Sequence, residues 1–319
     1  MVVTQRHKLL YFMVVAVALW GLPACSDASK PAKQPPPENA SAPSQPESLS
    51  GHAAQPPVSS EKVKPMSAQQ IVARILQKDW DMVEVPGVIP PEAAPEIIKL
   101  LDNEDPEIRE LTIYSLNASG GEAAKDGFLK ALNDENDMVR SAACKALLYN
   151  YDAKHLKTYL MHLKSNEDEF VREHVALVIG KIGGPQAVEA IKTQLAVEKD
   201  ADAKHAMAIA LARMKDEQGT KDFEGRLQAN DPAERVKALE DYLYIRDRSL
   251  LPEVAKLLSD TRDAKNMAPA GHNYFIRVCD VAVNTLDLVL AHPFPFPIDA
   301  LKRYSAEELY QAEKIVTQK

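Results

Sequence analysis

Leu132-Asn133-Asp134-Glu135-Asn136-Asp137-Met138-Val139-Arg140 decides the fold, because the chain repeats it. Leu101, Leu132, Leu163, Leu195, Leu227 and Leu258 stand 31, 31, 32, 32 and 31 residues apart. Arg109, Arg140, Arg172, Lys204 and Arg235 follow the first five by eight or nine residues, each four residues after an Asp or Asn. The leucines close a first helix, a short polar turn follows, and the cation opens a second helix. In Asp105-Pro106 and Asp231-Pro232 the proline directly follows the Asp, the order expected of an N-cap and first helical residue. Gly120-Gly121 and Gly183-Gly184 stop second helices. A fixed period with two helices per unit predicts an α-solenoid.

Counted from each cation, positions +3, +4 and +7 are mostly small or apolar, from Thr112, Ile113 and Leu116 to Ala238, Leu239 and Tyr242. At 100° per residue they share one direction, and the cation points nearly the same way. It therefore leans on the packed face and needs a partner there, since an unpaired buried charge is strongly destabilising. The Asp or Asn four residues earlier, in its own or the adjacent repeat, is the expected partner. This Asp-x-x-Val-Arg feature, as in Asp168-Glu169-Phe170-Val171-Arg172, resembles the HEAT-like repeat, particularly the short kind first named from phycobilisome lyases. The resemblance covers about Pro91 to Leu290. It implies an all-α fold, an α-solenoid of about six HEAT-like helical-hairpin repeats with terminal capping helices, and says little about function.

Ahead of the repeats, residues 1–24 read as an export signal, with Arg6 and Lys8 before an apolar run from Leu9 to Trp20. That run is too short to span a bilayer comfortably. Leu22-Pro23-Ala24-Cys25 resembles the lipobox of bacterial lipoproteins, in which the cysteine becomes the lipidated first residue. Pro23 departs mildly from it. Ser26, rather than Asp, follows the cysteine, which by the sorting rule of Gram-negative lipoproteins implies the outer membrane. Residues 25–66 then hold the lipidated cysteine and a proline-rich tether, with nine prolines and no aromatic from Ser26 to Met66. Such a segment cannot bury enough apolar surface to offset its ordering entropy. The solenoid is expected over 67–291, with 67–90 as an N-terminal cap opened by the capping box Ser67-Ala68-Gln69-Gln70. The sixth repeat is distorted by extra residues between Thr261 and Asn273. Residues 292–319 form a proline-rich turn and a C-terminal capping helix.

The formal charge is −8, nearer −10 once Arg6 and Lys8 are cleaved away, so nucleic acid is excluded as a main partner. No Gly-rich phosphate loop, Gly-x-Ser-x-Gly elbow or nucleophile triad occurs. Deoxyhypusine hydroxylase, on the same fold, binds two irons through repeated His-Glu pairs. Here Glu173-His174 is the nearest counterpart, reversed and found once, and one His cannot hold a metal. No metal or cofactor is expected. Cys144 and Cys279 lie four repeats apart, beyond the roughly 7 Å limit of a disulfide, and are expected as buried free thiols.

Positions +2, +5 and +6 should point away from the packing, onto the concave side. In the third and fourth repeats they are His174, Leu177, Val178, Ala206, Ile209 and Ala210, which would form an exposed apolar strip. The opposing expectation is that tight curvature covers these helices. The leading reading is a membrane-anchored periplasmic scaffold that binds a protein partner of the cell envelope, touches the membrane only through its lipid, and has no catalysis of its own. The alternative is a ligand- or metal-binding or enzymatic module with its site near the irregular sixth repeat, around His272, Asn273, Tyr274 and His292.

Overall fold

The computed structural model describes residues 64–266, 275–291 and 293–318. The expected export signal, Cys25 and all but the last residues of the tether lie outside them. So do His272, Asn273, Tyr274 and His292. Fourteen helices are described. The first, α1 (Ala68–Leu76), has the capping box read from the sequence: Gln70 N–H donates to Ser67 Oγ at 3.3 Å and Ser67 N–H to Gln70 Oε1 at 2.9 Å. Beyond it, Trp80 meets Tyr114 edge-on at 5.5 Å and Met82 is fully buried, closing the near end of the stack.

Six helical hairpins follow. Their first helices are α2 (Ala94–Ile97, extended by 3-10 turns), α4 (Glu122–Ala131), α6 (Leu156–Ser165), α8 (Pro185–Leu195), α10 (Glu217–Leu227) and α12 (Leu251–Ala255). Their second helices are α3 (Pro106–Ser119), α5 (Asp137–Asn150), α7 (Glu169–Ile182), α9 (Ala201–Arg213), α11 (Pro232–Ile245) and α13 (Val278–Val289). The second helices pack on one another in an unbroken row, tightest between α7 and α9, while consecutive first helices touch much less. That asymmetry gives an α-solenoid whose second helices form the crowded inner row. The ladder leucines are buried except Leu195, which is half-buried. Of the positions +3, +4 and +7, only Ala208 is not buried. Each such Leu or Ile contributes about 1.5–3 kcal/mol.

The Asp or Asn four residues before each cation is the N-cap of the second helix. Asp105, Asn136, Asp168, Asp200 and Asp231 all accept from a backbone N–H in the first turn. The arginines reach further. Arg109 grips Asp134 through Nε and Nη2, both at 2.8 Å, and Arg172 grips Glu198 in the same way. Arg140 pairs with Asp168, and Arg235 with Asp260 at 2.9 Å. In each case the acid belongs to the turn of the following repeat. The first three arginines also donate to two carbonyls of their own turn, Arg172 to Asn166 O and Glu167 O at 2.9 Å each. One guanidinium thus closes its own turn and fastens the next. Lys204 breaks the series: its short ammonium lacks the fork, and the side chain is exposed.

The sixth repeat holds a feature the sequence did not disclose. β1 (Asp263–Asn266) pairs antiparallel with β2 (Phe275–Arg277), a small hairpin inserted between α12 and α13. Arg277 is diverted from the ladder to buried Asp280, at 2.9 and 2.7 Å, and to Tyr304 O at 2.7 Å. Asp280 also accepts from Tyr304 N–H at 2.9 Å, which draws the chain after α13 back onto it. The last helix, α14 (Ala306–Thr317), then packs on α12 and α13. Cys144 and Cys279 are buried and unpaired, as expected.

Candidate functional site: a basic cleft at the ends of the inner helices

The apolar strip expected to face outward is core. His174, Leu177, Val178, Ala206, Ile209 and Ala210 are all buried, with at most 8% of their surface exposed. The cause is the closeness of α7 and α9. A Cβ at Gly180 would lie 2.7 Å from Ala210 Cβ and 3.0 Å from Ala210 Cα, so only glycine allows that approach. Tyr244 on α11 then reaches past α9, and its hydroxyl donates to Leu177 O at 2.7 Å. Curvature this tight covers positions that a gentler solenoid would expose. His174 stacks on Phe170, with ring centroids 4.0 Å apart, and its Nδ1 donates to Phe170 O at 2.9 Å. Burial pushes the imidazole down to about 4, so it is neutral at physiological pH. Its neighbour Glu173 is pushed up to about 7 by burial and by Asp202 and Asp200. These groups shape the core rather than a surface.

What the inner row does leave open is at the carboxyl ends of α7, α9 and α11. A cleft of about 640 Å³ is lined there by Gly180, Lys181, Gly183 and Gly184, by Arg213, Met214 and Lys215, and by Ile245 to Ser249. It holds five cations, Lys181, Arg213, Lys215, Arg246 and Arg248, and one carboxylate, Asp247. In a chain of net charge −8 that is a marked local reversal. Part of it answers the negative ends of three helix dipoles. Lys181 donates to Leu148 O at 2.6 Å, and its ammonium sits 5.6 and 5.7 Å from the rings of Tyr149 and Tyr151. Arg213 lies 5.1 Å over the Tyr244 ring and donates to the Tyr244 carbonyl. Arg246 Nε donates to Leu243 O at 2.8 Å, and Lys215 meets Asp247 at 3.1 Å. Arg248 and Lys215 are exposed.

Four helix stops among the described residues place a residue other than glycine in left-handed backbone, Lys78, Lys215, Arg246 and Ala291, and two of them line the cleft. Gly120 and Gly183 end α3 and α7 with φ of 66° and 74°. The equivalent stops after α9 and α11 are Lys215 and Arg246, at φ of 62° and 51°. Left-handed backbone is strained for residues with a Cβ, by roughly 1–2 kcal/mol. The fourth and fifth repeats thus carry cations where the first and third carry glycine. Burial, together with Arg213 and Arg246, also holds the Lys181 ammonium down to about 8. A second charge-bearing group would relieve that repulsion only if it were an anion. The sequence signal was available: Lys181 and Arg213 each stand nine residues after their ladder cation, beyond the outward positions considered.

Residues 67–147 and 125–212 match the HEAT repeat family. Residues 67–212 of the solenoid are HEAT repeats. No curated protein matches this HEAT-like sequence. Among solved structures it is similar to the complex of CpcE and CpcF of phycocyanin lyase from Nostoc sp. PCC7120, with 16% identity, TM-score 0.49, and 83% of this chain and 99% of that chain covered. It is also similar to human deoxyhypusine hydroxylase in complex with glycerol, with 14% identity, TM-score 0.30 and coverage of 72% and 96%. An engineered protein aligns with 17% identity, TM-score 0.36 and coverage of 72% and 69%. These likenesses are of fold alone. Among the described residues of this HEAT-like protein, no group of His, Cys, Asp and Glu is arranged to hold a metal ion, and no helix is long and apolar enough to cross a membrane.

Proposed function

We propose that this HEAT-like protein is a lipid-anchored adaptor of the periplasm, held at the outer membrane through Cys25, which binds another protein and carries out no chemistry itself. The lipobox-like Leu22-Pro23-Ala24-Cys25 and the proline-rich residues after it support the anchoring half of this reading. A flexible tether of about 41 residues would give the solenoid an rms reach of roughly 35 Å from the bilayer. The binding half is carried by one observation: three successive repeats bring their helix ends together into a cleft, and in two of them a cation stands where the third keeps a helix-stopping glycine. Such positions are poor choices for stability alone, and strain of this kind collects at functional sites.

The experiment has two readouts on the full-length chain expressed in a Gram-negative host. Mass spectrometry of the amino-terminal peptide should find acylated Cys25, and a Cys25→Ala chain should leave the membrane fraction. In-cell photocrosslinking from the cleft should give a discrete protein adduct. Failure of the first removes the anchor; failure of the second removes the adaptor.

A further inference from the structure

We propose that the basic cleft takes an extended, acidic peptide segment of a partner protein, reading its carboxylates one repeat at a time. This rests on the adaptor reading and gives its partner a chemistry. The cations are distributed by the repeat: Lys181 at the end of α7, Arg213 and Lys215 at the end of α9, Arg246 and Arg248 after α11. Inner helices pack about 8–10 Å apart, so three helix ends span about 20 Å. A chain in the extended polyproline II form advances about 3.1 Å per residue with about three residues per turn, so about six residues cross the cleft, and every third side chain returns to the same face opposite a new repeat.

The cations are held for this use. Arg213 is held over the Tyr244 ring and on the Tyr244 carbonyl, and Lys181 is held on Leu148 O close to the rings of Tyr149 and Tyr151, so less side-chain freedom remains to be lost on binding. Arg248 is exposed. Asp247, the sole carboxylate of the lining, is already engaged by Lys215 at 3.1 Å and by Ser249 N–H at 3.0 Å. An entering carboxylate therefore meets little opposing charge.

Other anions fit less well. A flat membrane surface cannot enter a concavity, and a single inorganic phosphate would leave most of about 640 Å³ unfilled. Nucleic acid would bring its phosphates against a chain of net charge −8.

The test uses the full-length chain in detergent and a fluorescein-labelled heptapeptide, Glu-Gly-Gly-Glu-Gly-Gly-Glu, followed by anisotropy. Saturable binding is expected, weakening with added salt, and at least tenfold weaker for the Gln-Gly-Gly-Gln-Gly-Gly-Gln control. The double variant R246E/R248E changes only exposed side chains and leaves the Lys215–Asp247 bridge in place. It should lose at least tenfold in affinity while its thermal melt stays within a few degrees, which separates lost recognition from lost folding. Equal binding of the two peptides, or unaltered binding by the folded double variant, overturns the proposal. So does displacement of the peptide by micromolar inorganic phosphate, which would make this a small-anion site. Capture of phosphatidylglycerol vesicles by the wild-type chain, lost in the double variant, would make it a lipid-headgroup site and also overturn it. If the double variant still crosslinks to the wild-type protein adduct, the cations do not hold the partner, so the acidic-peptide proposal falls and the adaptor reading survives.

Discussion

Arg172 and Glu198 join two repeats through a fork: Nε and Nη2 of the arginine each donate to one carboxylate oxygen at 2.8 Å. Glu198 is buried, accepts further from Lys199 N–H and Asp200 N–H, and the Arg172 guanidinium holds its carboxyl down to about 2. Because the folded value lies below the ordinary 4.5, the pair's stabilisation is full above about pH 4.5 and drains away as pH falls toward 2. Glu198→Gln should cost on the order of 2–3 kcal/mol at pH 7. Denaturant melts across pH should show the two proteins drawing together as pH falls from about 4.5 toward 2. A constant difference down to pH 2 would mean that packing, not charge, is what the substitution removes.

A second pH effect is centred on Glu173 and His174. Glu173 keeps its proton up to about pH 7 in the fold, so its contribution is full below 4.5 and is lost as pH rises toward 7. His174, held near 4, works in the other direction: its contribution is full above 6.5 and falls as pH drops toward 4. In the wild type these slopes oppose each other between about pH 4.5 and 6.5. Glu173→Gln should stabilise the protein at pH 8 by about 2 kcal/mol, change little at pH 4, and leave stability rising between. Equal effects at both pH values would contradict this assignment.

Gly180 sets the spacing of α7 and α9. Its missing Cβ would stand 2.3 Å from the Tyr244 hydroxyl oxygen and 2.7 Å from Ala210 Cβ. Gly180→Ala should therefore cost about 1–3 kcal/mol through overpacking, despite alanine's better helix propensity. Tyr244→Phe alone should cost about 1 kcal/mol, for the lost bond to Leu177 O. In the double variant the two penalties should sum to less than their total, because the phenylalanine removes the closest clash. Strict additivity in a double-mutant cycle would show the two sites to be independent.

Left-handed cations at helix stops cost stability that glycine would return. Lys215→Gly should raise stability by about 0.5–1 kcal/mol, the left-handed strain less the greater backbone entropy of glycine. The same change should weaken capture of an acidic peptide. A thermal melt and the peptide titration, run on one preparation, check both. A loss of stability would indicate that the exposed bridge to Asp247 outweighs the backbone strain.

The repeat architecture was readable because each level agreed: period, N-cap, proline, helix-stopping glycine and apolar stripe all indicated the same unit. The N-cap role of Asp105 and Asp231 followed from their prolines alone. What could not be read was the angle between repeats. Whether Leu177 and Ile209 are surface or core depends on how close α7 comes to α9, and that distance is set by Gly180 and Ala210, thirty residues apart, with Tyr244 from a third helix. No periodicity along one helix encodes it. The arginine partners were half legible: the adjacent repeat was foreseeable, but Asp134 and Glu198 are turn residues outside the recurring N-cap position. The hairpin of β1 and β2 is too short to show an alternating pattern, and the cleft lies at helix ends, where a scan of helix faces does not look.

The gap in the arginine ladder at Lys204 bears on how this array bends. Four junctions are fastened at the turn end, where an arginine holds the next acid. Between α9 and α11 the fastenings lie elsewhere, in the mid-helix pair His205 with Asp241 at 3.1 Å and in Arg213 on the Tyr244 carbonyl beside the cleft. That joint is free at one edge and pinned at the other, like a fan. A bend at this joint would open the turns before it moved the pivot, and the cations there would keep their spacing.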